Sequence, residues 1–215
     1  MEETEKKLRP KLLIITGPQG SGNHLFAKIF SMHPDVQGWS MAPNEWQGHH
    51  EEPFNQYWQE PVSLKDFDWQ KDYYVTSISC PYYKDRQPQV PKYQEFIAEA
   101  KKHADVVIAI IGRDRNILHN QELRVRGQRT YDKALQQFAK LHVMSNDIHF
   151  ISYELFYLYG SDYVTHLGKS LGFPLVNKGS MLDDYLRVDA NAKYITQVQH
   201  GDFDEPAKKA SLIDS

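Results

Sequence analysis

The stretch Lys11–His33, KLLIITGPQGSGNHLFAKIFSMH, decides the fold. Its apolar run Lys11–Thr16 reads as a strand covered on both faces. Glycines 17, 20 and 22 then make a tight turn, and Asn23–His33 has helical period, burying Leu25, Phe26, Ile29 and Met32 before Pro34 stops it. Strand, glycine-rich turn and helix in that order form an anion nest: backbone N–H groups can approach a ligand closely, and the helix points its positive end at it. Nucleotide-hydrolysing loops of this kind follow the last glycine with a Lys that reaches the terminal phosphates and a Ser/Thr that holds magnesium. Here Asn23 and His24 stand there instead. Both can donate hydrogen bonds, but neither is a fixed cation or a usual magnesium ligand. The loop therefore predicts phosphate binding without ATP or GTP turnover, with a ligand-free glycine turn as the competing reading.

Outward from the loop, strand and helix patterns alternate. A short strand is expected in DVQGWS, and a third, YYVTSISCPYY, ends at Pro81. KDRQPQVPK reads as a loop on its prolines. YQEFIAEAKKH predicts a helix, ADVVIAIIG a buried strand, TYDKALQQFAKLHV a helix and DIHFISY a fifth strand. The last helix, SDYVTHLGKSLGFP, is expected to start at a Ser-Asp cap and finish at Gly172 and Pro174. Such alternation argues for an α/β fold whose mainly parallel sheet of about five strands is covered on both faces, with ligands at the carboxyl ends of the strands. Residues 41–72, rich in aromatics and prolines without a sustained period, read as a lid or acceptor loop.

The 215 residues fit one domain, 1–215, with 1–10 and about 200–215 as flexible ends. A formal charge of -3 suggests no nucleic-acid coat. The lone cysteine, Cys80, excludes an internal disulfide and a Cys-pair zinc site, and predicts a reducing compartment. No apolar segment approaches the roughly 20 residues that cross a bilayer, so the expectation is a cytoplasmic protein with no membrane partner.

GPQGSGNHL, together with HPDV (His33–Val36), VVIAIIGRDRNILHNQ and ISYELFYLYGSDYVTHLGKSLGFP, resembles in order and spacing the segments of the sulfotransferases that use 3'-phosphoadenosine 5'-phosphosulfate (PAPS). The resemblance frames roughly residues 11 to 175 and implies a P-loop three-layer sandwich. It implies that Gln19, Gly20, Ser21, Gly22, Asn23 and His24 surround the 5'-phosphosulfate, that Arg113 pairs with the 3'-phosphate, that Asn120 stands where the family has a phosphate-binding Ser, and that Tyr153 lies near the adenine. The arginine fork suits that phosphate because it donates two parallel hydrogen bonds; a surface pairing of Arg113 with Asp114 is the alternative.

Gly20 replaces the Lys or Arg that the family usually has before Ser-Gly, a cation that stabilises the leaving phosphate. Lys84, Arg86 or Arg115 would have to substitute, or turnover is slow or absent. Sulfuryl transfer also needs a base for the acceptor proton, and the aromatic stretch offers His49, Glu45 and His50, in that order of preference, against a solvated loop in which they do nothing. Trp39, Trp46, Phe54, Tyr57 and Trp58 either stack on an acceptor or, the favoured reading, build a small core. No metal site is expected. The function so implied is sulfuryl transfer from PAPS to a hydroxyl of a small molecule or carbohydrate. The alternatives are a degenerate nucleoside or nucleotide kinase, or an inactive nucleotide-binding module.

Overall fold

The computed structural model describes residues 9–39, 53–84, 87–145 and 147–176, apart from the side chains of 124–126. One parallel sheet of five strands organises them: β1 (Lys11–Pro18) in the middle, β3 (Tyr73–Cys80) and β6 (Asp105–Gly112) beside it, and β2 (Val36–Gln37) and β7 (Ile148–Ser152) at the edges. Successive side chains of a strand face opposite ways, so β1 serves two cores. Leu13 and Ile15 pack with α1 (Asn23–Ser31) and α5 (Tyr153–Leu171) through Phe26, Ile29, Phe30 and Leu167. Leu12 and Ile14 face the other way, into a core shared with α2 (Tyr93–His103) and α4 (Tyr131–Met144) through Phe96, Ile97, Phe138 and Leu141. Burial on both faces explains why β1 and β6 are continuous apolar runs. The chain thus has the α/β class and five-stranded parallel sheet that its sequence predicts.

Of the stretch 41–72, residues 41–52 lie outside the described ones, whereas Asn55–Trp58 and Pro61–Asp66 form two 3-10 turns that bury Phe54, Trp58 and Leu64. Trp58 stacks on Phe96 at 3.8 Å between ring centroids, and its Nε1 donates to Thr76 Oγ1 at 3.0 Å. Phe54 packs against Phe67, Trp69 and Tyr74. These aromatics extend the α2–α4 core, as favoured for Phe54, Tyr57 and Trp58.

Three segments differ from the sequence reading. The loop KDRQPQVPK takes part in a hairpin of β4 (Tyr82–Lys84) and β5 (Gln87–Gln89), in a two-stranded sheet of its own. Proline is tolerated there because an edge strand need not donate at every position. After β6 the chain forms a helix, α3 (Arg115–Arg126), whose polar surface hides its period; Asp114 caps it by accepting from Asn116 N at 2.9 Å and Ile117 N at 3.0 Å. Finally, the helical stretch of α5 begins earlier than the sequence predicts, at Tyr153; a kink divides it, and the part after the kink follows Gly160, where the sequence places its last helix. Gly160, at φ 52 and ψ -126, interrupts the helix and masks its first half. Glu122 on α3, 1% exposed, accepts from Thr130 N at 2.8 Å and from Thr130 Oγ1, fastening α3 to the start of α4.

Candidate functional site

Parallel strands bring their carboxyl ends to one edge of the sheet, where β1, β3, β6 and β7 deliver residues 18, 80, 112 and 152. The loop Gly17–Gly22 lies at that edge. It is pinned to the end of β3 by Gln19 Nε2, which donates to Pro81 O at 2.6 Å, and is folded back on itself by Ser21 N donating to Pro18 O at 3.0 Å. Gly20 and Gly22 have φ of +81° and +97°, a region that L side chains rarely adopt. They also permit close approach. A Cβ on Gly22 would stand 2.8 Å from the Tyr153 ring, and one on Gly20 would stand 2.4 Å from the Gln121 carboxamide.

Helix α1 opens on Gly22, which has no side chain to cap it, and no acidic residue occupies its first turn. Its leading N–H groups therefore present the positive end of the helix at this edge of the sheet. Beside them Ser21 and Asn23 are 0% and 3% exposed, yet Ser21 Oγ and Asn23 Nδ2 find no hydrogen-bond partner among the described residues. Orphan buried polar atoms are few in folded proteins and call for an explanation. Asn23 Oδ1 accepts from Ser79 Oγ of β3 at 3.4 Å, which fixes the oxygen end of the amide toward β3.

Arg113 leaves the end of β6 on the opposite flank. Its Nη1 donates to Gly20 O and, at 3.4 Å, to Gln121 Oε1, and its Cζ sits 4.3 Å from the centroid of the Tyr153 ring. A planar guanidinium on a buried aromatic face is held in one plane by a cation–π contact. Asp114 is engaged elsewhere: besides capping α3, its N–H donates to Glu154 Oε1 at 2.7 Å. Arg113 and Asp114 therefore serve different partners, and the guanidinium belongs to the glycine loop.

The structure brings Gln19, Gly20, Ser21, Gly22, Asn23, His24, Arg113 and Tyr153 together at this edge. Tyr153 lies beneath the Arg113 guanidinium and against Gly22. Asn120 is exposed on α3, and Gln121 is the residue turned to the loop. Reading α3 as a helix is what would have found it, since a turn assumed to be irregular has no inward face. Glu45, His49 and His50 lie outside the described residues. Among the cations considered as substitutes at Gly20, Lys84 Nζ donates to Gln59 Oε1 at 2.5 Å and Arg115 faces Asp132 at 3.7 Å on α4; Arg86 is outside the described residues. Gln121 fills the space beside Gly20. Among the described residues no group of three or more His, Cys, Asp or Glu could hold a metal ion, and no helix is long and apolar enough to cross a membrane.

No family model matches the chain, and no curated protein matches it. Solved structures do. A sulfotransferase domain from the curacin biosynthetic pathway superposes with a TM-score of 0.53 at 12% identity, over 84% of this chain and 79% of that one. A sulfotransferase from Alicyclobacillus acidocaldarius (TM-score 0.44, 17% identity, 83% and 90% covered) and mouse sulfotransferase SULT7A1 complexed with PAP (0.45, 17%, 84% and 64%) are also similar. The curacin-pathway domain carries the comparison. The chain has a sulfotransferase-like fold.

Proposed function

We propose that the chain binds PAPS at the β1–α1 loop and transfers its sulfuryl group to a hydroxyl of a small molecule or carbohydrate. The observation that carries this reading is the buried donor set: Ser21 Oγ and Asn23 Nδ2, without partners among the described residues, beside an uncapped helix start. The loop amides, Ser21 and Asn23 would hold the 5'-phosphosulfate. Arg113, braced by Tyr153, would face the 3'-phosphate, with Gln121 next to it. PAPS supplies an activated sulfuryl group; the chain supplies position and charge. Transfer of this kind is an in-line displacement, so fixed geometry and donors aimed at the leaving oxygen matter more than covalent help. The fold of the curacin-pathway sulfotransferase domain supports the same reading.

The test is calorimetric titration with adenosine 3',5'-bisphosphate, the product nucleotide. The wild type is expected to bind without magnesium, and Arg113→Ala to lose the heat. Absence of binding at millimolar nucleotide overturns the proposal, and magnesium-dependent ATP binding in its place would move it to the kinase class.

A second reading, binding without transfer, is favoured by one observation: Gln121 occupies the space beside Gly20, where the leaving-group cation is missing, and Arg115 is turned to Asp132. Tight bisphosphate binding with no PAPS consumption, by water or by any of a broad panel of hydroxyl acceptors, would select it.

A further inference from the structure

We infer that the acceptor hydroxyl enters on the β3 flank of the loop and that His24 takes its proton, an inference that rests on the PAPS reading above. The two flanks are built differently. Toward β6 and β7 stand Arg113, Gln121 and Tyr153, a guanidinium with its supports. Toward β3 stand Asn23, tied to Ser79, and His24, whose ring lies 5.1 Å from that of Trp39. Trp39 is itself fixed over β3, its Nε1 donating to Ser77 Oγ at 3.1 Å. In-line displacement puts the acceptor opposite the leaving phosphate, and Arg113 marks the nucleotide's flank; the acceptor flank is then β3.

A base on that flank must titrate near neutrality and reach the loop. Glu154 is engaged by Asp114 N–H and by Ser152 Oγ, and Glu122 by Thr130. Among the described residues that border the loop, His24 is the group whose ordinary pKa, about 6.5, fits the task. It is the second residue of α1, next to Asn23, and its Nε2 is shielded from bulk water. The charged group that shares the Trp39 face is Lys28, its Nζ 5.3 Å from the ring centroid, whose pKa burial lowers. On β3 the neighbours are the uncharged Ser77 and Ser79, and Arg113 and Tyr153 face the loop from the other flank. The step balances simply. The acceptor oxygen forms a bond to sulfur as the bond from sulfur to the bridging 5'-phosphate oxygen breaks, the electron pair stays on that phosphate, and the acceptor proton moves to the imidazole of His24.

The test needs no identified acceptor. The His24 imidazole is titrated by NMR with and without adenosine 3',5'-bisphosphate, and PAPS hydrolysis, with water as acceptor, is followed against pH. Nucleotide binding is expected to raise the His24 midpoint by about half a unit or more, because a phosphate dianion nearby favours imidazolium. The wild type is expected to hydrolyse PAPS with an acid limb at that midpoint. At saturating PAPS, His24→Gln and His24→Asn should lose about 100-fold in hydrolysis together with the limb. If the bisphosphate binds but leaves the His24 titration unmoved, or if hydrolysis shows no acid limb or keeps it in both variants, the inference is overturned with the PAPS reading intact. If the bisphosphate does not bind, both fall.

Discussion

Two strand-to-helix junctions on the same edge of the sheet, β1 to α1 and β6 to α3, solve one problem in opposite ways. Each helix begins with backbone N–H groups that have no partner within the helix. At α3 the chain answers from its own side chains: Asp114 accepts from Asn116 and Ile117, and further along Glu122 satisfies Thr130. The start of α5 is closed likewise, by Ser152 accepting from Leu155 N, with Glu154 in its first turn. At α1 a glycine stands in the capping position, no acid follows, and two buried donors nearby lack partners among the described residues. One junction caps its helix with its own carboxylate. The other leaves a helix start and two buried donors without partners among the described residues, which is the arrangement the proposed nucleotide would complete.

Removing the scaffold's carboxylate gives the largest effect. Glu122→Ala strands Thr130 N–H and Oγ1 in the interior and is expected to cost about 3 kcal/mol in urea unfolding; an unchanged midpoint would mean that this junction is not self-satisfied. At the loop, Gly22→Ala meets the Tyr153 ring and a left-handed backbone, a strain of about 1–2 kcal/mol. It should also weaken bisphosphate binding at least 100-fold by calorimetry, and wild-type affinity in this variant would show that the close approach has no ligand. Ser21→Ala separates the two roles most cleanly. Because Ser21 Oγ has no partner among the described residues, thermal stability should stay within about 0.5 kcal/mol, while bisphosphate affinity falls about tenfold. Asp114→Ala should do the reverse, losing about 1 kcal/mol of stability as a cap is deleted, with bisphosphate affinity changed less than in Ser21→Ala.

The comparison also explains what could be read in the sequence. Lys11–His33 announces itself because its signals are local: an apolar run, three glycines and a helical period within one short stretch. α3 stayed hidden because its residues are mostly polar and its cap, Asp114, doubles as part of an arginine-rich turn. The prolines in KDRQPQVPK are compatible with a minimal hairpin, and Gly160 divides α5 into two helical pieces, of which the sequence pattern shows the second. Gln121 could not be chosen over Asn120 from a turn; once α3 is a helix, one faces the loop and the other solvent.

The sequence by itself determined the elements that depend on near neighbours: the alternation of buried strands and helices, the parallel sheet it implies, and the glycine turn suited to an anion. Only the tertiary structure decided which polar groups of that turn lack partners among the described residues, that Gln121 fills the space beside Gly20, and that Arg113 lies on Tyr153 while Asp114 caps α3. The reason is physical. Periodicity, caps and glycine torsions are set within a few residues, whereas those contacts join residues far apart in the chain and exist only because β3, β1, β6 and β7 end side by side.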